Sequence, residues 1–455
     1  MRRVCRGLAP LRYPTRGSLR SVRNAGEEWD HWDAACEARS DHNPLLTCHL
    51  VAKLICHPVP KSTRCISWSR QSSLVRAMSF AWSAKSRANW TLARPHTRSR
   101  FKVKARAANA TANAANADAK CLVFSFHNYE NNSLKKALPD ATFSSARCEL
   151  GTASLARGHN AVCVFVDDDV GVDVVDALAD HGVRLILLRC AGWDNVDCER
   201  AVERGVTVLR VPAYDPLSIS EYAVAMMLSL NRHLCASRDR LRMGNFTLDG
   251  LVGSSLRGKT VGVLGTGKIG RGVADILKRG FQMNVLGFDK FPNKPGFCGE
   301  YMDLDEVLEM SDVVSLHLPL TPETDGLIDK YAIAKMKRGA ILINTSRGAL
   351  VDARAAIDGL VSGKIAALGL DVYENENKLF FKDFSSMNME QRMLVWDETM
   401  AILGSMPNVL VTPHTAFLTH EALHGIAATT AENFRLFKEG ETLEGDHVVC
   451  VGAAE

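Results

Sequence analysis

A glycine-rich turn within TVGVLGTGKIG, residues 260–270, constrains the fold of this chain more than any other feature. An apolar run precedes the turn, and KIGRGVADILKRG, which has helical spacing, follows it. The next apolar run, NVLGFD, ends in Asp289, 19 residues after Gly270. Gly265 permits the tight turn, Gly267 lets the backbone approach a ligand, and Gly270 lets helix and strand pack closely. This order of strand, turn, helix, strand and acid predicts a dinucleotide-binding fold.

The turn and the acid also indicate which dinucleotide is bound. The unpaired N–H groups and positive dipole end of the helix would face a pyrophosphate. Asp289 would accept hydrogen bonds from the ribose hydroxyls and repel a 2′-phosphate, which favours NAD over NADP. GVLGTGKI also fits the G-x4-G-K pattern of a P-loop, but Ile269 stands where magnesium ligation needs Ser or Thr. We therefore reject the P-loop.

From residue 120 onward, short apolar runs with strand character alternate with helical stretches. The first series comprises KCLVFSF, NAVCVFV, VRLILLRC and GVTVLRV. A second series begins at Lys259 and comprises TVGVLG, NVLGFD, DVVSLHL, AILINTS, AALGLDVY and NVLVTPHT. One long amphipathic helix is predicted over 218–244, between the two series. The alternation predicts an α/β fold with mainly parallel sheets.

The N-terminal residues 1–117 differ in charge from the rest of the chain. They carry 21 Lys and Arg against 6 Asp and Glu, whereas residues 118–455 carry 34 against 45. No acidic residue occurs over 42–117, where Ser, Arg and Ala abound. This composition predicts a transit peptide, and VKA at 103–105 favours the chloroplast over the mitochondrion. The alternative is a basic arm that binds nucleic acid or anionic lipid.

Several other patterns are better explained by packing than by chemistry. The chain has 13 cysteines but no CxxC pair, which favours free thiols over a disulfide framework or a zinc ribbon. No apolar run approaches the roughly 18 residues that span a bilayer. HEALH, from His420 to His424, fits a zinc-protease pattern without a placed third ligand. VDDDV, at 166–170, is interpreted as a solvated helix start and RLRMGNF as a basic surface. We predict no metal, no membrane span and no nucleic acid.

Three polar residues follow successive late strands: Arg347, Glu376 and His414. The carboxyl ends of parallel strands line the ligand crevice of an open sheet, so these side chains are expected to meet there. Arg347 has a rigid fork of donors that suits a substrate carboxylate. His414 can exchange a proton with a carbonyl or alcohol, and Glu376 would stabilise the protonated ring. We expect no protein side chain to occupy the guanidinium of Arg347 permanently.

Seven motifs in order extend the pattern over residues 120–450: RCAGWDNVD, RVPAYDP, VGVLGTGKIG, SLHLPLTPET, NTSRGALVD, GLDVYENE and TPHTAFLT. They resemble the D-isomer-specific 2-hydroxyacid dehydrogenase family, and within it the fermentative D-lactate dehydrogenases of bacteria. The resemblance implies two Rossmann-like lobes, with a doubly wound NAD-binding domain inserted into a flavodoxin-like substrate domain. It also implies reversible NADH-dependent reduction of pyruvate to D-lactate.

The resemblance carries roles onto individual residues. Arg347, Glu376 and His414 would be the catalytic arginine, glutamate and histidine. The backbone at Ala191 and Gly192 would hold the substrate carboxylate. Besides the glycine turn, the residues that would contact NAD are Lys268, Ile269, Asp289, Leu318, Pro319, Thr345 and Asp371. Those that would close an apolar pocket around a small methyl group are Tyr214 and Phe417, with Phe165 as a further candidate.

The predicted domain organisation follows from the same resemblance. Residues 1–117 form the leader, 118–216 the first part of the substrate domain, 217–414 the NAD-binding domain, and 415–455 a C-terminal return to the substrate domain. A homodimer joined through the cofactor domain, or a homotetramer, is expected. Two alternatives stay open: a reductase of another small 2-oxo acid such as glyoxylate or hydroxypyruvate, and an NAD-sensing, corepressor-like binding protein of the same fold.

Overall fold

The computed structural model describes residues 118–452, apart from Asn293, Trp396 and Thr442. The predicted leader at 1–117 and its transit peptide lie outside these residues. Within them the chain forms two sheets, each covered by helices on both faces. The class is therefore α/β, as the alternation of strands and helices predicted.

The first sheet has six strands in the order β13-β5-β4-β3-β1-β2. Its strands are β1 Cys121–Val123, β2 Thr142–Phe143, β3 Ala161–Val164, β4 Leu185–Leu188, β5 Thr207–Arg210 and β13 Val448–Cys450. The first five are parallel and follow the order of a flavodoxin-like sheet. Strand β13, from the other end of the chain, pairs antiparallel with β5.

The second sheet has seven strands in the order β12-β11-β10-β9-β6-β7-β8. Its strands are β6 Thr260–Leu264, β7 Asn284–Phe288, β8 Glu300–Tyr301, β9 Val313–Leu316, β10 Ala340–Asn344, β11 Ile365–Leu370 and β12 Val409–Val411. All pairs are parallel. The order reverses between β6 and β9, which is the switch point where a doubly wound sheet binds its ligand.

The helices connect these strands and cover both sheets. They are α1 Leu134–Ala137, α2 Val172–Asp180, α3 Cys198–Glu203, α4 Pro216–Asn231, α5 Leu234–Arg242, α6 Lys268–Asp275, α7 Leu304–Met310, α8 Lys330–Lys335, α9 Ala353–Ser362, α10 Glu376–Leu379, α11 Met389–Val395, α12 Glu398–Ser405 and α13 His420–Glu439. A π-helical turn, Ile276–Gly280, continues α6. Helix α13 packs on the first sheet through Ala427 and Phe437.

The strands of both sheets are short apolar runs such as LILL in β4 and AILIN in β10, and every residue of those two is buried. Burial on both faces is expected for parallel strands that helices cover on each side. Two apolar clusters flank the first sheet and two flank the second. Each sheet therefore has its own core and forms its own lobe, with the first sheet in the substrate lobe and the second in the cofactor lobe. The polar residues that follow the strands are left at the sheet edges.

Two local predictions were wrong. The helix expected over 218–244 is interrupted at His233, whose φ of +51° turns the chain left-handed, so that α4 and α5 are separate helices. The acids of VDDDV do not begin a solvated helix, because Asp168 is buried in the substrate lobe. Its carboxylate accepts hydrogen bonds from Ser125 Oγ at 2.6 Å and from the Phe165 N–H at 2.6 Å.

Two further patterns can be placed on the structure. In HEALH, Thr419 caps helix α13 by accepting from the Ala422 N–H at 3.1 Å, as predicted, and His424 Nδ1 is hydrogen-bonded to the His420 carbonyl. No cluster of three or more His, Cys, Asp or Glu side chains able to hold a metal ion occurs in the part of the chain that is described. None of the helices in that part is both long and apolar enough to cross a membrane.

A buried ion pair joins the strand ends of the substrate lobe. Arg189 is 1% exposed and donates from Nε to Glu130 Oε1 at 2.9 Å, and Glu130 is 4% exposed. Arg189 also donates from Nη2 to the Ser125 carbonyl at 2.7 Å and lies over the Phe165 ring at 4.7 Å. Burial is the largest influence and acts against the charge, but Glu130 together with Cys163, Asp168 and Tyr129 outweighs it and raises the pKa of Arg189. Removing one partner of such a pair leaves the other charge uncompensated in the core.

Glu130→Ala should lower the free energy of unfolding by about 3–5 kcal/mol, because it strands the buried guanidinium of Arg189. Urea denaturation followed by circular dichroism measures this loss. The matched control is Glu203→Ala, since Glu203 pairs with Arg200 but is 63% exposed, and that loss should stay below about 1 kcal/mol. Equal losses in the two variants would contradict a structural role for the buried pair.

Candidate active site

A cavity of about 600 Å³ lies between the two lobes, at the carboxyl ends of their strands. Most of the predicted substrate and cofactor residues line it, from both sides. They are Ala191, Gly192, Tyr214, Gly267, Lys268, Ile269, Leu318, Pro319, Thr345, Arg347, Asp371, His414 and Phe417, together with Phe165. Four predicted residues stand behind this lining: Gly265, Gly270, Asp289 and Glu376.

Glu376 reaches the cavity through His414. Its Oε1 lies 3.0 Å from His414 Nδ1, and its Oε2 accepts from the Tyr373 N–H at 3.0 Å. The carboxylate is therefore held at both oxygens and fixes one edge of the imidazole. With Nδ1 bound to the acid, Nε2 is the ring nitrogen that remains for a ligand.

His414 occupies an unusual backbone conformation, with φ at +55°. A left-handed conformation costs a non-glycine residue energy and persists only where the surroundings enforce it. Here the buried carboxylate of Asp371 does so, because Oδ1 accepts from the Thr412 hydroxyl at 2.6 Å and the Thr415 N–H at 2.9 Å, and Oδ2 from the Ala416 N–H at 2.9 Å. Burial raises the pKa of Asp371. The predicted NAD contact Asp371 thus also anchors the loop that carries His414.

The expectation that no protein side chain occupies Arg347 was wrong. Arg347 Nε donates to Asp194 Oδ2 at 3.1 Å, and Nη1 donates to the Ser346 carbonyl at 2.8 Å. Asp194 comes from the RCAGWDNVD loop of the other lobe, so no sequence spacing revealed the contact. Burial opposes the charge of Arg347, but the charge and hydrogen bond of Asp194, with Tyr214 and Cys190, together outweigh burial and raise the pKa of Arg347. The side chains are 31% and 39% exposed, so this pair borders the cavity rather than lying inside a core.

Gly192 brings the RCAGWDNVD loop, residues 189–197 and here called the substrate loop, against the guanidinium of Arg347. A Cβ added at Gly192 would lie 2.0 Å from Arg347 Nη2, so only glycine permits this approach. The neighbouring Ala191 carbonyl accepts from Arg210 Nη1 at 2.8 Å, and the Arg210 guanidinium lies over the Trp193 ring at 4.5 Å. The sequence did not indicate Arg210 or Trp193, because Arg210 contacts Ala191 across the sheet and Trp193 stacks on the Arg210 guanidinium.

An aromatic wall bounds the cavity. Phe417 lies 6.3 Å from both the Tyr214 and the Phe165 ring centroids and 6.2 Å from His414. Burial raises the pKa of Tyr214 to about 12, which keeps its hydroxyl neutral. Phe381, which sequence reasoning missed, packs on Phe165 at 5.1 Å from the cofactor lobe. Its φ is +60°, a conformation that nothing in the FF pair of ENENKLFFKD announces.

The glycine turn fits a dinucleotide. Gly265 has φ at +94°, and a Cβ there would lie 2.4 Å from the His317 carbonyl oxygen. A Cβ at Gly270 would lie 2.0 Å from the Gly265 carbonyl oxygen, whereas at Gly267 it would meet nothing within 4 Å. Gly267 is also the N-cap of helix α6 without a side-chain cap. The turn therefore packs tightly at its ends and leaves space at the helix N-terminus, as a bound pyrophosphate needs.

Other residues around the turn agree with this interpretation. The Thr345 hydroxyl lines the cavity and is buried without a hydrogen-bond partner among the described residues. Asp289 Oδ2 accepts from the Thr266 N–H at 2.7 Å and pairs with Lys294. Although burial opposes ionisation, the bonds from Lys294, Phe291 and Thr266 outweigh it and lower the pKa of Asp289. Asp289 therefore ends strand β7 as an ionised carboxylate.

Two mainly parallel sheets with this glycine turn define a dinucleotide-binding protein, and comparison with known proteins identifies its family. Residues 224–416 match the model of the NAD-binding domain of D-isomer-specific 2-hydroxyacid dehydrogenases. D-lactate dehydrogenase of Escherichia coli is 48% identical over 299 residues, 65% of this chain and 89% of that protein.

Solved structures agree with these matches. The pyruvate reductase of Chlamydomonas reinhardtii has a TM-score of 0.68 at 46% identity, covering 73% of this chain and 100% of that one. D-lactate dehydrogenase with NAD+ from Lactobacillus jensenii has a TM-score of 0.60 at 31% identity, covering 72% and 99%. The chain belongs to the D-isomer-specific 2-hydroxyacid dehydrogenase family and is an NAD-dependent enzyme of that family.

Gly265→Ala should weaken NADH binding about tenfold or more, because a Cβ both strains the left-handed backbone and meets the His317 carbonyl. Titration of the full chain with NADH, followed by fluorescence, gives the dissociation constant. The control is Gly280→Ala, where a Cβ meets nothing within 4 Å. An unchanged dissociation constant in folded Gly265→Ala would contradict the assignment of the turn.

Proposed function

We propose that this enzyme interconverts pyruvate and D-lactate, using NADH for the reduction. The observation that carries the proposal is the joint presence of Arg347 and His414 on one cavity, with Glu376 bonded to the far side of the imidazole. A cation for a carboxylate and an acid–base group for the adjacent carbonyl oxygen are what a 2-oxo acid requires. Bound NADH supplies the hydride.

His414 acts as the acid in the reduction and as the base in the reverse direction. Its Nε2 donates a proton to the carbonyl oxygen as negative charge develops there. Glu376 holds Nδ1 at 3.0 Å and stabilises the protonated ring before the transfer. Asp371 keeps the His414 loop in its left-handed conformation, so the imidazole needs no reorganisation during the reaction.

Arg347 binds the substrate carboxylate. Asp194 and the Ser346 carbonyl hold Nε and Nη1, so the guanidinium plane is fixed with Nη2 against Gly192 and the cavity. The backbone at Ala191 and Gly192 completes the binding site of the carboxylate. In this arrangement Asp194 orients the arginine, and the substrate replaces none of the bonds that hold the plane.

The aromatic wall favours a small substrate substituent. The Phe417 ring centroid lies 6.3 Å from those of Phe165 and Tyr214. Phe381 packs on Phe165 at 5.1 Å from the cofactor lobe. A methyl group packs against such a surface, whereas a long or charged chain loses hydration without a partner. Pyruvate therefore suits the cavity better than hydroxypyruvate, whose hydroxyl needs a hydrogen bond, and glyoxylate leaves the wall uncovered.

A second copy of this chain is the expected partner. The segment that follows α4 exposes apolar side chains that a monomer gains nothing by exposing. They are Leu241, Met243, Phe246, Leu248 and Val252. Their position on the cofactor lobe supports a homodimer or homotetramer joined there. We also retain the proposal that residues 1–117 direct import into an organelle, the chloroplast before the mitochondrion.

Steady-state assays with NADH and a panel of pyruvate, glyoxylate and hydroxypyruvate test the proposal. The highest kcat/KM is expected with pyruvate, D-lactate as the product, and a strong preference for NADH over NADPH because of the charge on Asp289. A preference for another 2-oxo acid would reassign the substrate. Turnover slower than about 0.1 s⁻¹ with every substrate would favour the corepressor-like binding protein.

Arg347→Lys should lower kcat/KM for pyruvate about a hundredfold or more, because a point charge replaces the planar fork and also loses Asp194. Both a higher KM and a lower kcat are expected. Arg354→Lys, on helix α9 with its side chain 47% exposed, is the control and should keep near-normal kinetics. A near-normal kcat/KM in Arg347→Lys would rule out the proposed role.

His414→Gln should lower kcat about 10²–10⁴-fold while NADH binding is kept, because the side chain no longer exchanges the proton. Glu376→Gln retains a hydrogen bond but removes the charge, so a smaller loss of kcat is expected. His424→Gln, on the exposed face of helix α13, serves as the control. Equal activity of His414→Gln and His424→Gln would exclude His414 as the acid.

A further inference from the structure

Two cysteines that do not line the cavity belong to one apolar cluster of the substrate lobe. Cys198 is the first residue of helix α3 and directly follows the RCAGWDNVD loop. Cys450 is the last residue of strand β13 and is 5% exposed. Both belong to the same apolar cluster, with Cys450 buried and Cys198 partly buried against it. The sequence alone did not indicate this pair, because the two residues are 252 positions apart.

Helix α3 packs against strand β13, which brings the two thiols together. The other thiol is the largest influence on the pKa of each: it lowers the pKa of Cys450 and raises the pKa of Cys198. The four fully buried cysteines of the substrate lobe differ, since burial is the main influence on each and raises its pKa. Two neighbouring thiols, of which Cys198 is partly exposed, meet the geometric requirement of thiol–disulfide exchange, in which a thiolate attacks a disulfide sulfur.

The pair is connected to the substrate loop by a short chain of contacts. The Asp446 carbonyl, two residues before β13, accepts from Arg210 Nε at 2.9 Å. Arg210 Nη1 donates in turn to the Ala191 carbonyl at 2.8 Å. At the other end of the loop, Asp194 holds Arg347, and Cys198 begins the helix four residues later. A shift of β13 would therefore act on the substrate loop at both ends: through Asp446 and Arg210 at Ala191, and through Cys198 at the start of helix α3.

We propose that Cys198 and Cys450 form a redox modification site, which a disulfide-bearing oxidant converts into an intramolecular disulfide. One of the two thiols loses its proton to solvent and attacks the oxidant's disulfide as the thiolate, forming a mixed disulfide and releasing one thiol of the oxidant. The other protein thiol, once deprotonated, attacks the protein sulfur of that mixed disulfide and releases the second thiol. Two protein thiols are oxidised and one disulfide of the oxidant is reduced to two thiols.

The disulfide has two physical consequences. It closes a loop of the unfolded chain from 198 to 450 and so stabilises the folded state. It also ties β13 to the start of helix α3, which restrains Arg210 and the substrate loop in the geometry that presents Ala191 and Gly192. Less ordering is then needed when a substrate carboxylate binds, so KM should fall. The modification itself is independent of the proposed function, and only the effect on KM rests on it.

The test is oxidation of the full chain with oxidised glutathione, followed by intact mass, peptide mapping and a thermal scan. We expect a loss of two hydrogens, a peptide linking Cys198 to Cys450, and a rise of about 5 °C or more in the thermal midpoint. Dithiothreitol should reverse all three. KM for the 2-oxo acid that the enzyme turns over best should fall about threefold, with kcat little changed.

Cys198→Ser, at the partly buried position, should abolish the linked peptide, the rise in midpoint and the fall in KM together. Cys235→Ser, at an exposed cysteine of helix α5, should retain all of them. Absence of the linked peptide in oxidised wild-type protein overturns the proposal, as does a midpoint rise that persists in Cys198→Ser. A linked peptide without any change in KM overturns the coupling to the substrate loop. Because mass and midpoint need no substrate, they stay decisive whatever the assays of function give.

Discussion

The active-site side of the crevice depends on one buried carboxylate, that of Asp371 at the end of strand β11. It accepts hydrogen bonds from three residues of the Thr412–Ala416 segment, which hold His414 in a left-handed backbone conformation. The energy of those hydrogen bonds offsets the strain, and the strain in turn aims the imidazole at the cavity with Nδ1 toward Glu376. His414 is thus positioned by a buried residue whose carboxylate is occupied by hydrogen bonds from within the protein.

How far sequence reasoning succeeded depends on whether a feature is local. The glycine turn follows from spacing within one strand-turn-helix unit, and the α/β class follows from the alternation of strand and helix runs. Arg347, Glu376 and His414 each follow the end of a parallel strand, so their meeting at one crevice was predictable. The contact of Asp194 with Arg347 joins residues 153 positions apart on different lobes. Neither periodicity nor composition carries that information. The left-handed backbone at His233 and at Phe381 was not predicted for another reason: the sequence gives no signal that these non-glycine residues have a positive φ.

Arg189 and Arg347 each pair with an acid, but the two pairs differ in how far their side chains are exposed. Arg189 is sealed with Glu130, and the pair is held by a carbonyl and an aromatic face, so an exchange of partners would cost several kcal/mol. Arg347 and Asp194 are each about one-third exposed, where a charge pair contributes about 1 kcal/mol or less. Such a pair orients the guanidinium of Arg347 and leaves its Nη2 group able to bind an anion. The acid at Arg347 therefore accords with an anion-binding role that a fully buried acid would have precluded.

The chain ends give the substrate lobe a second role beyond enclosing the ligand. Helix α13 packs on the first sheet, and strand β13 completes that sheet beside β5. Asn433 of α13 donates to the Arg210 carbonyl while Asp446 binds its guanidinium, so one arginine receives contacts from both C-terminal elements. Arg210 in turn donates to the carbonyl of Ala191, which lines the cavity. The segment before β13 is therefore linked to the cavity lining by two hydrogen bonds of one arginine, to Asp446 and to Ala191.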